Sequence, residues 1–317
     1  MAEQEISLPS VNFREAQKKN ARRTFILIFL FLILFSAVGG VFGAALAGPK
    51  LWYWGLIIAF GLAIIWVFFG WFLGGPMTLA VSHAKRIDEP KTPAERQFFN
   101  VVEEISLAAG LPMPKVYVIH DTAMNAFACG RNEKVACITA TSGLLEKLTR
   151  EELQGVVGHE MGHIRNHDIM YTVLLIMLVG VLVLLCDMFL RIVFYSGGGR
   201  RSSSGKGGGS GQAIFLIIGI VLAIIAPILA RMIFFAVSRE REYLADATAV
   251  ELTRNSRGIA SALKKLAGDK EVLEAANRAT AHLYIVHPIK KFEKRAASIF
   301  STHPPIKERI ARLEAMS

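Results

Sequence analysis

Residues 156–168 read VVGHEMGHIRNHD, which gathers His159, Glu160, His163 and His167 into nine positions directly before a long apolar run. Thr149, followed three residues later by Glu152, is a capping box, so the spacing predicts a helix through this stretch. On a helix His159 and His163 stand one turn apart, project from one face and can share a metal ion, with Glu160 beside that face. Two imidazoles plus a carboxylate and an open fourth position suit zinc, which acidifies water toward a pKa of about 7. Glu160 is then the candidate general base. His167 continues the series, yet it lies about 12 Å from His159 along a straight helix, too far to share an ion that sits ~2 Å from each nitrogen. It reads as a helix-end or interfacial residue. The pattern HExxHxxGxxH is excluded, because Asn166 and Ile169 stand where it needs glycine and histidine.

The apolar run that follows is one of four. The chain of 317 residues is 53% hydrophobic, with a mean hydropathy of +0.41, too apolar for an ordinary soluble enzyme of this size. Segments at roughly 24–48, 51–75, 169–195 and 213–237 are each long enough to cross a hydrocarbon core. The first has no small-residue cleavage site after a short apolar core and reads as an uncleaved anchor. A net charge of +10 comes with no nucleic-acid motif, and its basic residues flank the apolar segments, which is the signature of membrane topology. Arg14, Lys18, Lys19, Arg22 and Arg23 precede the first span, and Lys85 and Arg86 follow the second, so the bias favours a cytoplasmic N-terminus. Cys129, Cys137 and Cys186 form no CxxC pair, and the sequence reading expects neither a disulfide framework nor a cysteine metal site, in keeping with a reducing cytosol.

The organisation expected is therefore a cytoplasmic leader (1–23), two transmembrane helices (24–75), the first half of a polar domain (76–168), two more spans (169–237) joined by a flexible Gly/Ser loop at 196–211, and the second polar half (238–317). Two spans separate the polar halves, so both face one side and can assemble into one domain. Thr92, Pro93 and Glu95 open an amphipathic helix that stops at Gly110, and short β-branched runs at 115–120, 125–130 and 135–142 read as a small sheet. After the fourth span the chain reads as helical, with breaks near Gly258, Gly268 and residues 287–289.

Completion of the zinc site needs a carboxylate from elsewhere. SREREYLADATA (238–249) places Glu242 and Asp246 one turn apart, Glu242 able to ligate and Asp246 able to accept the free N–H of a ligating histidine. Arg239 and Arg241 read as a solvated charge run. In STHPPIKERI (301–310), His303 and Arg309 are candidates to stabilise an oxyanion, although spacing alone does not separate them from structural residues. His83, His120, His282 and His287 have no partner spacing and read as structural.

With these pieces in view, the chain resembles the HtpX family of membrane zinc metalloproteases, related more distantly to the CAAX prenyl-protein peptidases. The resemblance rests on NAFACG (125–130), residues 140–169, SREREYLADATA (238–249), AHLYIVHP (281–288) and STHPPIKERI (301–310). It implies one zinc ion held by His159, His163 and Glu242, Glu160 as base, Asp246 behind the ligands, and His303 and Arg309 at the substrate or transition state. It also implies that Asn125, Ala126, Phe127 and Ala128 form an edge strand that pairs with an extended substrate. The fold class expected is an α-helical membrane protein with four transmembrane helices and a cytoplasmic, zincin-like α+β protease domain of mostly helices and a small sheet. The resemblance further implies a multi-pass inner-membrane endopeptidase, active at the cytoplasmic face on damaged or misfolded membrane proteins in stress, with no nucleic-acid partner. A processing protease for prenylated tails and a scaffold with a structural zinc site are the alternatives.

Overall fold

The computed structural model describes residues 13–196, 210–269, 271, 285 and 304–316. Helices α1 (Phe13–Ala47) and α2 (Trp52–Val81) form an antiparallel hairpin closed at Gly48, whose φ of 105° suits glycine, and by a short 3-10 turn at Pro49–Leu51. The two helices touch backbone to backbone. A Cβ added at Gly55 would stand 2.3 Å from the Gly39 carbonyl oxygen and 2.8 Å from Gly43 Cα. Gly39 and Gly43 are four apart, the small-residue spacing that lets apolar helices approach where no water drives them together. Helices α6 (Asp168–Ser196) and α7 (Ser210–Thr253) complete this bundle. Its interior is built from Phe31, Phe35, Phe42, Leu182, Phe189 and Ala223, with Phe42 and Phe189 stacked at 3.8 Å between ring centroids.

Among the described residues, three helices are long and apolar enough to cross a membrane: Ile28–Ala47, Pro49–Val81 and Leu178–Tyr195. The expected fourth span falls on α7, where the apolar stretch Ala213–Leu229 is shorter. The helices also overrun the apolar segments read from sequence. α1 begins inside the expected leader, and α7 runs unbroken for 44 residues, past the apolar stretch and through Asp246. The Gly/Ser loop lies outside the described residues apart from its ends.

The polar part is an α+β unit. α3 (Pro93–Ala109) has the capping box predicted, with Thr92 Oγ1 accepting from the Glu95 N–H at 3.1 Å, and it ends on Gly110 in the left-handed conformation at φ 66°. Strands β2 (Lys115–Ile119), β3 (Ala126–Cys129) and β4 (Cys137–Thr141) match the three runs expected. The two-residue β1 (Lys85–Arg86), too short and charged to be legible, adds to β2. The order is β1-β2-β4-β3, with β2 and β4 parallel and the other pairs antiparallel, so β3 is an edge strand. Phe98, Val101, Ile138, Leu153, Met161 and Leu263 are at the centre of the core between this sheet and the helices α3, α5 (Arg150–Arg165) and α8 (Ser256–Gly268). Short α4 (Ser142–Lys147) follows β4, and α9 (Ile306–Glu314) packs on α8.

Two expectations are corrected here. Cys129 and Cys137 are register partners across β3 and β4 and are joined by a disulfide, whereas Cys186 is buried and free. Antiparallel pairing sets the two Cβ atoms side by side, a proximity that no cysteine spacing motif encodes. The break expected near Gly258 falls at Arg254–Asn255 instead; the Asn255 side chain caps the Gly258 N–H at 3.0 Å, and Gly258 lies inside α8. Residues 287–289 lie outside the described residues.

The start of α5 is tied to α8 through Glu152. Its carboxylate accepts from Ser261 Oγ at 2.7 Å, from Lys265 Nζ at 2.7 Å and from the Thr149 N–H at 2.8 Å. Burial works to raise the Glu152 pKa, but Lys265 and these hydrogen bonds outweigh it, and the net shift is downward. A lowered folded-state pKa means that the native state binds protons less readily than the unfolded chain. The stabilisation is therefore complete above the unfolded value of roughly 4.3 and is lost as pH falls through the lowered value. Glu152→Gln is expected to destabilise the protein by about 1–2 kcal/mol near neutral pH, with a gap from wild type that narrows below pH ~4.3. Thermal unfolding in detergent across pH measures this, and a gap that widens on acidification contradicts it.

Candidate metal centre

The centre is made where α5 crosses α7. A Cβ added at Gly162 would stand 3.1 Å from Ala245 Cα, and one at Gly158 would stand 3.2 Å from Ala249 Cα. Small residues four apart on each helix thus bring the backbones into near contact. His159 and His163, each next to one of those glycines, face Glu242 and Asp246 on α7.

The three candidate ligands converge, with one donor atom from each lying within 4.8 Å of the others and the two imidazoles facing different oxygens of the Glu242 carboxylate. His159 Nε2 is 3.2 Å from His163 Nε2, 3.6 Å from Glu242 Oε2, and His163 Nε2 is 3.5 Å from Glu242 Oε1. Two donors held ~2.1 Å from one ion at the tetrahedral angle sit roughly 3.4 Å apart, so the donor set fits a zinc ion. Among the described residues this is the group of histidine and acidic side chains with that arrangement.

Each histidine is oriented through its other nitrogen. His159 Nδ1 lies 2.9 Å from Asp246 Oδ1, and His163 Nδ1 lies 3.3 Å from Asp168 Oδ2. In neutral imidazoles, Nδ1–H donation to these carboxylates would turn both Nε2 lone pairs toward Glu242. Asp246 is among the residues expected; Asp168 was missed, although it closes the quoted stretch. A continuous helix would carry Asp168 to a different face from His163, but α5 ends at Arg165. His167 then adopts φ 59°, and α6 restarts at Asp168. His167 itself is exposed at this turn and away from the three ligands. Arg241, read as solvated, is buried with Nε 3.6 Å from Asp168 Oδ1, so its charge faces an interior carboxylate.

Arg309 enters from α9 and is 1% exposed. Its Nε and Nη2 donate to Asp246 Oδ2 and Oδ1 at 2.8 and 2.7 Å, and its Nη1 lies 3.2 Å from Glu242 Oε2. A fork-to-fork pair of this kind fixes the carboxylate in plane and supplies a buried counter-charge. Burial works to raise the Asp246 pKa, but Arg309 and His159 take it down to about 2. Burial and Arg309 work to lower that of His159, but Asp246 and Glu242 outweigh them and raise it to about 9.

Glu160 is 2% exposed, beside the three candidate ligands rather than among them. Burial raises its pKa, partly offset by His159, His163 and a hydrogen bond from the Ala128 backbone. That bond joins the site to the outer edge of β3. Along this strand Asn125 turns to β4, where its carbonyl accepts from the Thr141 N–H at 3.0 Å. The next residue faces outward: the Ala126 N–H donates to Asn125 Oδ1 at 3.1 Å, and its carbonyl accepts from the Ile285 N–H at 3.0 Å. Phe127 is wholly buried beneath the sheet with Ile119 and Cys129. Of the expected substrate-strand residues, Ala126 and Ala128 thus turn their backbone groups outward, whereas the Asn125 side chain caps its own strand. His303, expected near the reaction centre, lies outside the described residues, as do His282 and His287. His83 and His120 are exposed.

The profile of peptidase family M48 matches residues 93–317. The protease HtpX homolog of Caldanaerobacter subterraneus subsp. tengcongensis is 41% identical over 312 residues, covering 96% of this chain and 97% of that one. The protease HtpX homolog of Streptococcus uberis is 40% identical over 298 residues, covering 94% and 98%. A crystal structure of S. mikatae Ste24p superposes with a TM-score of 0.52 at 20% identity over 95% of this chain and 67% of that chain, a likeness of fold. With a profile that covers residues 93–317 and relatives that match almost end to end, the chain belongs to peptidase family M48, among the HtpX proteases.

Proposed function

We propose that this protease is a zinc-dependent endopeptidase of four transmembrane helices, with His159, His163 and Glu242 as ligands and Glu160 as the general base. The observation that carries the reading is the convergence of His159 and His163 Nε2, 3.2 Å apart, on the Glu242 carboxylate, whose two oxygens lie 3.6 and 3.5 Å from them, with a buried, proton-avid carboxylate beside them. Zinc, when bound, would polarise the scissile carbonyl and acidify the attacking water.

The chain's own residues supply the remainder. Asp246 and Asp168 hold the imidazole tautomers, and Arg309 holds Asp246 and offsets the charge of Glu242; Arg309 is a positioning residue in this scheme. Glu160 takes a proton from the attacking water at its carboxylate and returns it to the departing amine. Burial raises its affinity for the proton it takes. An extended substrate adds along the outer edge of β3, displacing the Ile285 N–H from the Ala126 carbonyl, which places a peptide bond against Glu160. His303 is proposed as a further donor to the oxyanion. Substrates are unfolded or damaged membrane polypeptides reached at the cytoplasmic face, and the polar halves 76–168 and 238–317 make up the domain that cleaves them.

Glu160→Gln is expected to lower cleavage of a casein-like or unfolded membrane substrate by about 10²–10⁴-fold while the purified protein keeps its zinc. Equal activity in the variant sinks the assignment, and with it any distinction from a structural zinc site. Metal analysis separates ligands from their supports: Glu242→Ala is expected to lose zinc, and Asp168→Asn to weaken zinc affinity by about 10–100-fold. One tightly bound zinc ion retained by Glu242→Ala would reassign the third ligand.

A cytoplasmic site also bears on the Cys129–Cys137 disulfide, since the glutathione pool there would reduce it to a pair of thiols. Acid-trapped cells are expected to yield Cys129 and Cys137 reduced, and Ser203→Cys in the Gly/Ser loop is expected to react with an impermeant maleimide from outside. An oxidised pair together with a loop that reacts only after permeabilisation reverses the topology.

A further inference from the structure

A cavity of about 310 Å³ lies where the last third of α2 meets the sheet. Trp71, Phe72, Pro76 and Leu79 wall one side, and Tyr117 and the Cys129–Cys137 pair wall the other. Lys115 and Arg131 add two cations, and no carboxylate is among the lining residues described. The Arg131 guanidinium stands 5.2 Å from the Phe72 ring centroid, so its charge is held over an aromatic face. Above the cavity, α2 exposes Phe68, Phe69 and Leu73 at 62%, 45% and 42%. On a helix of membrane-spanning length such a surface meets acyl chains, and Trp71 marks the level where chains give way to headgroups.

Aromatic walls, a mouth open to acyl chains and a pair of cations at headgroup depth describe a two-part ligand. We propose that the cavity binds the headgroup of an anionic phospholipid, with the phosphate on Lys115 and Arg131 and an acyl chain along Phe68 and Phe72. A zwitterionic lipid also carries phosphate, but its ammonium would face two cations with no lining carboxylate to receive it. Free phosphate would leave the aromatic walls wet. The lipid would abut the active strand, because a Cβ added at Gly75 would stand 3.4 Å from Gly130 Cα, and Gly130 directly follows Cys129 of β3. The proposal rests on α2 crossing the membrane and not on the proteolytic reading.

Native mass spectrometry of the full chain in detergent, titrated with phosphatidylglycerol or phosphatidylcholine, tests it without an activity readout. Wild type is expected to bind phosphatidylglycerol about tenfold or more tightly than phosphatidylcholine. Lys115→Gln/Arg131→Gln is expected to lose that preference, and Lys115→Arg/Arg131→Lys to keep it. Lys115→Gln alone, on an exposed side chain, is expected to lose at least about threefold and serves if the double variant misfolds. No preference in wild type, or full preference in the Gln variants, overturns the site. Complete displacement of phosphatidylglycerol by inorganic phosphate at equal concentration overturns the lipid in favour of the free ion.

Discussion

Everything at the centre depends on how closely α5 can approach α7. Two imidazoles on one helix and a carboxylate on another reach a common point only if the helix axes are nearer than ordinary side chains permit, and Gly158, Gly162, Ala245 and Ala249 remove the side chains that would keep them apart. The histidines adjoin the glycines in sequence because closeness is needed at the same place as chemistry. Burial then makes the charges costly: Glu242, Asp246, Asp168, Arg241 and Arg309 are all under 6% exposed. Such a cluster persists only when each charge meets an opposite one, and the Arg309 fork on Asp246 meets that requirement from a third helix.

The electrostatics also divide labour between two neighbouring acids. Asp246 is held deprotonated by Arg309 and His159, whereas Glu160 is pushed toward the proton by burial. Environment, and not residue type, separates the carboxylate that is kept charged from the one pushed toward the proton.

Sequence reading reached the parts that obey a period. The i, i+4 pairs His159/His163 and Glu242/Asp246, both capping boxes and three of the four strands follow from local rules, because helix and strand geometry fix them within a few residues. It missed what depends on an irregular backbone or on tertiary proximity. Asp168 reaches His163 only because the helix breaks at His167, Arg241 turns inward only because Asp168 is there, and Cys129 meets Cys137 only through strand register. A charged dipeptide such as β1 carries no alternation at all. His303 rests on resemblance alone.

Helix α7 carries one further consequence. Pro227 removes one hydrogen bond near the end of the apolar stretch, and no proline follows between there and Thr253, so Glu242 stands on an uninterrupted length of helix that continues out of that stretch. The position of Glu242 against His159 and His163 is thereby tied to the seating of one 44-residue helix on α5 and not to a loop.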